Sequence, residues 1–77
     1  MDKDLFNYIA GRVISNAEDA LEDAKMHEGD DFYMGKKFAY YEVLDTIKND
    51  LITWEYDLSE CGLDIDLEER YLGLKHR

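Results

Sequence analysis

Apolar residues recur at three- and four-residue steps along two long stretches of the chain. In the second stretch, Tyr40, Leu44, Ile47, Leu51, Trp54 and Leu58 fall on one side of a helix. Phe38, Tyr41, Val43 and Ile52 widen that stripe beyond what one neighbouring helix covers. The chain has no proline, and no glycine lies between Gly35 and Gly62. The pattern therefore predicts one unbroken helix over about 32–58. In the first stretch, Phe6, Ile9, Val13, Ala17, Ala20, Leu21 and Ala24 keep helical spacing. They predict a helix over about 5–27, with Asp4 as its N-cap. Gly11 costs that helix about 1 kcal/mol relative to alanine. With Ala10, Ala17, Ala20 and Ala24 it leaves room for a second helix to approach closely, which would offset the cost.

The segment His27-Glu28-Gly29-Asp30-Asp31 separates the two helices. Gly29 can adopt the left-handed conformation that closes a helix, and Asp30 or Asp31 can cap the next one. So short a connection sets the helices antiparallel. Downstream, Ser59-Glu60-Cys61-Gly62 reads in two ways: the last turn of the second helix with Gly62 as its C-cap, or a separate turn capped by Ser59. Asp66 and Glu69 have capping-box spacing and predict a short third helix over about 67–73. Leu63, Ile65, Leu67, Tyr71, Leu72 and Leu74 then fold back over the hairpin's end, while Lys75, His76 and Arg77 fray. The expected fold is all-α, a long antiparallel helical hairpin plus a short C-terminal helix, in a single domain over 1–77.

Size adds a constraint. A chain of 77 residues hides only about 60% of its unfolded surface and needs reinforcement. One cysteine, Cys61, cannot make an internal disulfide, and no Cys/His cluster offers structural zinc. Two hairpins packed face to face would close the wide stripe into a homodimer resembling a four-helix bundle.

The net charge of −10 narrows the partners. Such a surface repels nucleic acid and anionic membranes and attracts basic proteins. The plainer reading is that the charge keeps a small protein soluble. No apolar run approaches the ~20 residues of a membrane span. Met1 to Leu5 lack the basic start of a signal peptide. With a lone thiol suited to a reducing compartment, the expected location is cytoplasmic.

Catalytic chemistry is hard to assemble from these residues. Gly29 to Lys37 suggests a phosphate loop, but five residues separate its glycines, Lys37 stands where Ser or Thr would hold magnesium, and no strand precedes it. His27, Glu28, Asp30 and Asp31 supply one histidine and diverging neighbours, a poor metal shell. Asp64, Asp66 and Glu68 share the alternate-acid spacing of calcium loops, without the central glycine or the closing glutamate. Cys61 sits among Asp57, Glu60 and Asp64, a field that raises a thiol's pKa and opposes nucleophilic use. No catalytic, cofactor-binding or metal-binding residue is assigned, and the chain reads as a non-enzyme without a cofactor.

Two features stand out instead. The acidic residues form a ridge on the first helix (Glu18, Asp19, Glu22, Asp23) and a run without a basic residue (Glu55, Asp57, Glu60, Asp64, Asp66, Glu68, Glu69). The plain alternative for both is a solvated face. The aromatic residues crowd the second helix. Phe38 and Trp54 read as core. Tyr33, Tyr40, Tyr41 and Tyr56 cannot all face inward, because Tyr40 and Tyr41 are adjacent. These tyrosines and Trp54 are candidates for a dimer seam or a partner contact.

The expected function is a small acidic non-enzymatic protein-binding module. Its sharper form is an inhibitor from a phage or mobile element, of the anti-CRISPR or DNA-mimic kind, that blocks a basic nucleic-acid-binding protein. The alternative is a structural or regulatory helical oligomer or adaptor that binds another helical protein through its aromatic face. A metal-binding or catalytic bundle is the third reading.

Overall fold

A computed structural model describes residues 2–74. Two long helices, α1 (Lys3–Met26) and α2 (Asp31–Thr53), pack against each other as an antiparallel hairpin. A 3-10 turn (Leu58–Glu60) and a short helix α3 (Leu67–Leu72) follow and lie back on the hairpin. No strand occurs among the described residues. The expected fraying of Lys75, His76 and Arg77 falls outside them.

Aspartates start every element. Asp2, not Asp4, caps α1: its carboxylate accepts from the Asp4 N–H at 3.1 Å. Asp4 instead lies in the first turn, where its charge favours the helix dipole. Asp30 caps α2 through the Phe32 N–H at 3.0 Å. Asp66 caps α3 through the Glu69 N–H at 3.1 Å, the forward half of the expected capping box. The turn at Leu58–Glu60 is a separate element, and its cap is Asp57 rather than Ser59. One Asp57 oxygen accepts from both the Ser59 N–H, at 3.0 Å, and the Ser59 hydroxyl, at 2.7 Å.

Helix α2 stops at Thr53, five residues short of the expected Leu58. The cause is a Schellman closure. The Glu55 N–H donates to the Ile52 carbonyl at 3.0 Å, and the Tyr56 N–H donates to the Leu51 carbonyl at 2.9 Å. This closure needs a left-handed residue, and Glu55 takes that role with φ 56°. A non-glycine residue there costs about 1–2 kcal/mol. Tyr56 explains why the chain bends regardless. Its ring meets Phe6 edge-on at 5.5 Å, and its hydroxyl donates to Asn7 Oδ1 at 2.5 Å. The bend thus docks the chain onto the start of α1.

The core is built from small residues below and large ones above. Helix α1 buries Ala10, Ala17, Ala20, Leu21 and Ala24, so its inner face is mostly alanine. Leu44 is the one fully buried residue of α2. Cys61, Leu63, Leu67 and Tyr71 close over these, with Leu63 at 0% and Tyr71 at 1% exposure. Tyr40 and Tyr41 straddle Leu44, and both are half-buried against the core. Phe38 and Trp54 are not core, as their spacing had suggested. Both are exposed. Phe38 lies about 120° around α2 from Leu44, and Trp54 stands beyond the last helical turn. Gly11 has no close-packing role, since a methyl group there would meet nothing within 4 Å.

Two stability outcomes follow from this core. Leu63→Ala should lower unfolding free energy by about 2–5 kcal/mol in a urea titration followed by circular dichroism. Trp54→Ala should change it by less than about 0.5 kcal/mol. Because Gly11 is helical, exposed and surrounded by open space, Gly11→Ala should raise stability by about 1 kcal/mol.

Candidate functional site

The bend after α2 brings together two features that are separate in the sequence. Trp54, Glu55, Tyr56 and Asp57 follow the helix end, and Asp50 comes from its last turns. With Glu60 from the 3-10 turn and Lys3 from the start of α1 they line one groove of about 530 Å³. Trp54 is 84% exposed, the most open of the large apolar side chains. An indole held in water beside four carboxylates is a face suited to a cation, through the ring quadrupole and through charge.

The polar groups of the groove are partly engaged. Lys3 Nζ lies 2.6 Å from Glu60 Oε1, and that carboxylate raises the lysine's pKa. Asp57 is held below the usual carboxylate range, first by the Ser59 hydroxyl and then by the Ser59 N–H. It stays charged while capping the turn. Asp50 and Glu55 are exposed. The Tyr56 ring is fixed by Phe6 and Asn7, so one wall is rigid while Trp54 projects.

The remaining acidic candidates are dispersed. Glu18 does not present itself to a partner, because it ties α1 to α3. Arg70 donates to both its oxygens, through Nε at 2.8 Å and through Nη2, and the Tyr71 hydroxyl donates to Oε2 at 2.5 Å. Arg70, then Tyr71, hold the Glu18 carboxyl below its ordinary range against the opposing effect of burial. Burial first, and the hydrogen bond to Glu18 second, push the Tyr71 hydroxyl well above 10. Asp19, Glu22 and Asp23 spread around the outer side of α1 toward the hairpin turn. Asp64 and Glu69 are exposed, whereas Asp66 and Glu68 interact within the chain. The acids therefore occupy both ends of the molecule and do not form one sheet of charge.

Of the other aromatic candidates, Tyr33 stacks on His27 at 4.1 Å and 13°, which braces the hairpin turn. Tyr41 stacks on Phe38 at 5.9 Å. Its hydroxyl is pushed above the usual tyrosine value by desolvation and then by the charges of Asp45, Glu68, Asp66 and Glu42. Tyr40 lies on the opposite flank of α2, about 100° away. Only Trp54 and Tyr56 join acidic residues in a groove. Sequence reasoning missed Asp50 and Lys3 as members of it. Asp50 carries no distinguishing signal, and Lys3 lies more than fifty residues from Glu60.

Among the described residues, no group of three His, Cys, Asp or Glu side chains is placed to hold a metal ion. Nor, among them, is any helix long and apolar enough to cross a membrane. The class is an all-α hairpin with a short third helix and an acidic, aromatic groove at one end. No family model, curated protein or solved structure matches the chain.

The tie between Glu18 and Arg70 yields a pH signature. A carboxyl held low in the fold adds stability that is complete above its ordinary value of 4.5 and is lost as pH falls through the folded value. Acidification also relieves the repulsion of a −10 chain, so the informative quantity is a difference. Glu18→Gln should be less stable than the parent at neutral pH, and the gap should shrink steadily below about pH 4.5. Denaturation midpoints of both proteins across pH 3–8 read this, and a gap independent of pH would remove the assignment.

Proposed function

We propose that this chain is a small acidic, non-enzymatic protein-binding module, and that it docks a basic surface of another protein in the groove of Trp54, Tyr56, Asp50, Glu55, Asp57 and Glu60. The observation that carries this reading is the 84% exposure of Trp54 beside those carboxylates. A large indole left in water adds nothing to the core, yet it is the side chain best suited to anchor an interface. An arginine or lysine of the partner would lie over the indole with its charge toward the acids. The net charge of −10 would steer such a partner and exclude nucleic acid. In its sharper form the partner is a nucleic-acid-binding protein and the chain an inhibitor of the anti-CRISPR or DNA-mimic kind from a phage or mobile element. Net charge and small size support that form.

A second reading draws on a different observation. The hairpin keeps Leu5, Ile9 and Val43 about half exposed, as in a helical oligomer or adaptor. A homodimer resembling a four-helix bundle would cover them.

The single tryptophan is a reporter for the first reading. Its emission should start near the fully hydrated maximum and change when an arginine-rich peptide is added at low salt. The affinity should fall steeply as salt rises toward physiological strength. Trp54→Phe leaves the charge intact and should weaken binding measured by calorimetry, as should Glu55→Gln with Asp57→Asn. Equal affinity of parent and variants would show that the groove is not the binding surface.

A further inference from the structure

The C-terminal segment covers one face of the hairpin and leaves the other open. A methyl group on Gly62 would lie 3.5 Å from Ile14 Cδ1, Arg70 and Tyr71 reach Glu18, and Lys48 donates to the Ile65 carbonyl. These contacts fix which side of each helix is covered. At 100° per residue the opposite side carries Leu5 and Ile9 of α1 and Val43 of α2, while Val13 and Ile47 at its inner edge pack against the core. Leu5, Ile9 and Val43 are each about half exposed there. The molecule is only 15 Å thick against 40 Å long, so this apolar strip runs along a broad flat side.

We infer that two copies of this chain associate through that open side, with α1 of each lying antiparallel against α2 of the other. The inference rests on the homodimer reading and specifies its surface and register. Charge selects a second copy as the occupant. The open side and its margin hold Arg12 and Lys36 against Asp2, Asp19, Asp23 and Asp50, which is two positive and four negative groups, or −2 of the total −10. Opposite charges on that side can be set against each other across a pair of copies. Their arrangement is also self-complementary. Asp19 and Asp23 lie toward the hairpin turn on α1, and Lys36 lies at the matching height on α2. A twofold axis parallel to the helices sets α1 against the partner's α2 at equal height. Asp23 then faces the partner's Lys36.

Sedimentation velocity over a concentration series reaching the micromolar range tests this with the full chain. The parent should dimerise. Val43→Glu should convert it to monomer, and Phe38→Glu, on a different side of α2, should not. Lys36→Glu should weaken the dimer roughly tenfold, and Lys36→Glu with Asp23→Lys should restore it, as coupled charges do. The charge pair keeps the test decisive if Val43→Glu loses its helical circular dichroism. A dimer that survives Val43→Glu in folded form, or gains nothing from the double charge swap, overturns the surface assigned here and leaves the homodimer reading standing. A parent that stays monomeric throughout overturns both. An unrelated helical protein that binds in place of a second copy, weakened by Val43→Glu, would likewise overturn the choice of occupant.

Discussion

Everything in this fold depends on three side chains filling the furrow between two antiparallel helices. Leu63, Leu67 and Tyr71 are nearly without solvent contact, and they arrive from a segment with only one short helix of its own. A two-helix hairpin has no inside, because each helix can bury only the strip that faces its neighbour. The furrow becomes a core when something apolar is laid along it. Helix α1 is adapted to this by carrying alanine where most helices carry leucine. Ala10, Ala17, Ala20 and Ala24 let α2 and the returning segment approach closely. The Glu18–Arg70–Tyr71 cluster then fixes the segment in register. It satisfies the one hydroxyl that Tyr71 would otherwise bury and sets a guanidinium across the same carboxylate.

The carboxylates serve two purposes that are easily confused in a chain of net charge −10. Asp2, Asp30, Asp57 and Asp66 are caps, each accepting from a backbone N–H that a helix or turn leaves over. Glu18 and Glu60 form ion pairs within the fold. Much of the acidity is thus local structural chemistry. The groove mixes the two kinds: Asp57 caps the turn and Glu60 pairs with Lys3, while Asp50 and Glu55 have neither role and lie beside the exposed Trp54. Charge alone would be consistent with solubility, and an exposed indole alone with chance. Their coincidence in one groove is harder to attribute to either.

Much of the architecture was legible in the sequence. The 3.6-residue pattern located both long helices, Gly29 with Asp30 located the turn, and Asp66 with Glu69 located α3. Two things were not legible, for identifiable reasons. Leu51, Trp54 and Leu58 continue the helical pattern across a point where the backbone turns away, and the left-handed residue there is Glu55 rather than glycine. Periodicity reports which residues could share a face, not whether tertiary contacts will pull the chain off its axis. Here Tyr56 does so by reaching Phe6 and Asn7. The groove was illegible for the same reason. Its acidic and aromatic members could each be named, but their meeting depends on that bend and on Lys3, from the far end of the sequence.

The bend therefore links stability to the proposed recognition. Trp54 still donates its N–H to the Asp50 carbonyl at 3.1 Å, so its side chain leaves the end of α2 and the bend begins only after it. The left-handed turn at Glu55 costs about 1–2 kcal/mol, and its effect is to bring Tyr56, Asp57 and Glu60 back beside the indole and Asp50. Backbone strain of this kind is retained where the surroundings determine it, and it gathers at sites that do something other than hold the fold. The ring of Tyr56 makes the turn compulsory by anchoring the residue after it. One edge-on aromatic contact and one hydrogen bond to Asn7 thus hold the returning chain, with Asp57 next in sequence, beside Trp54.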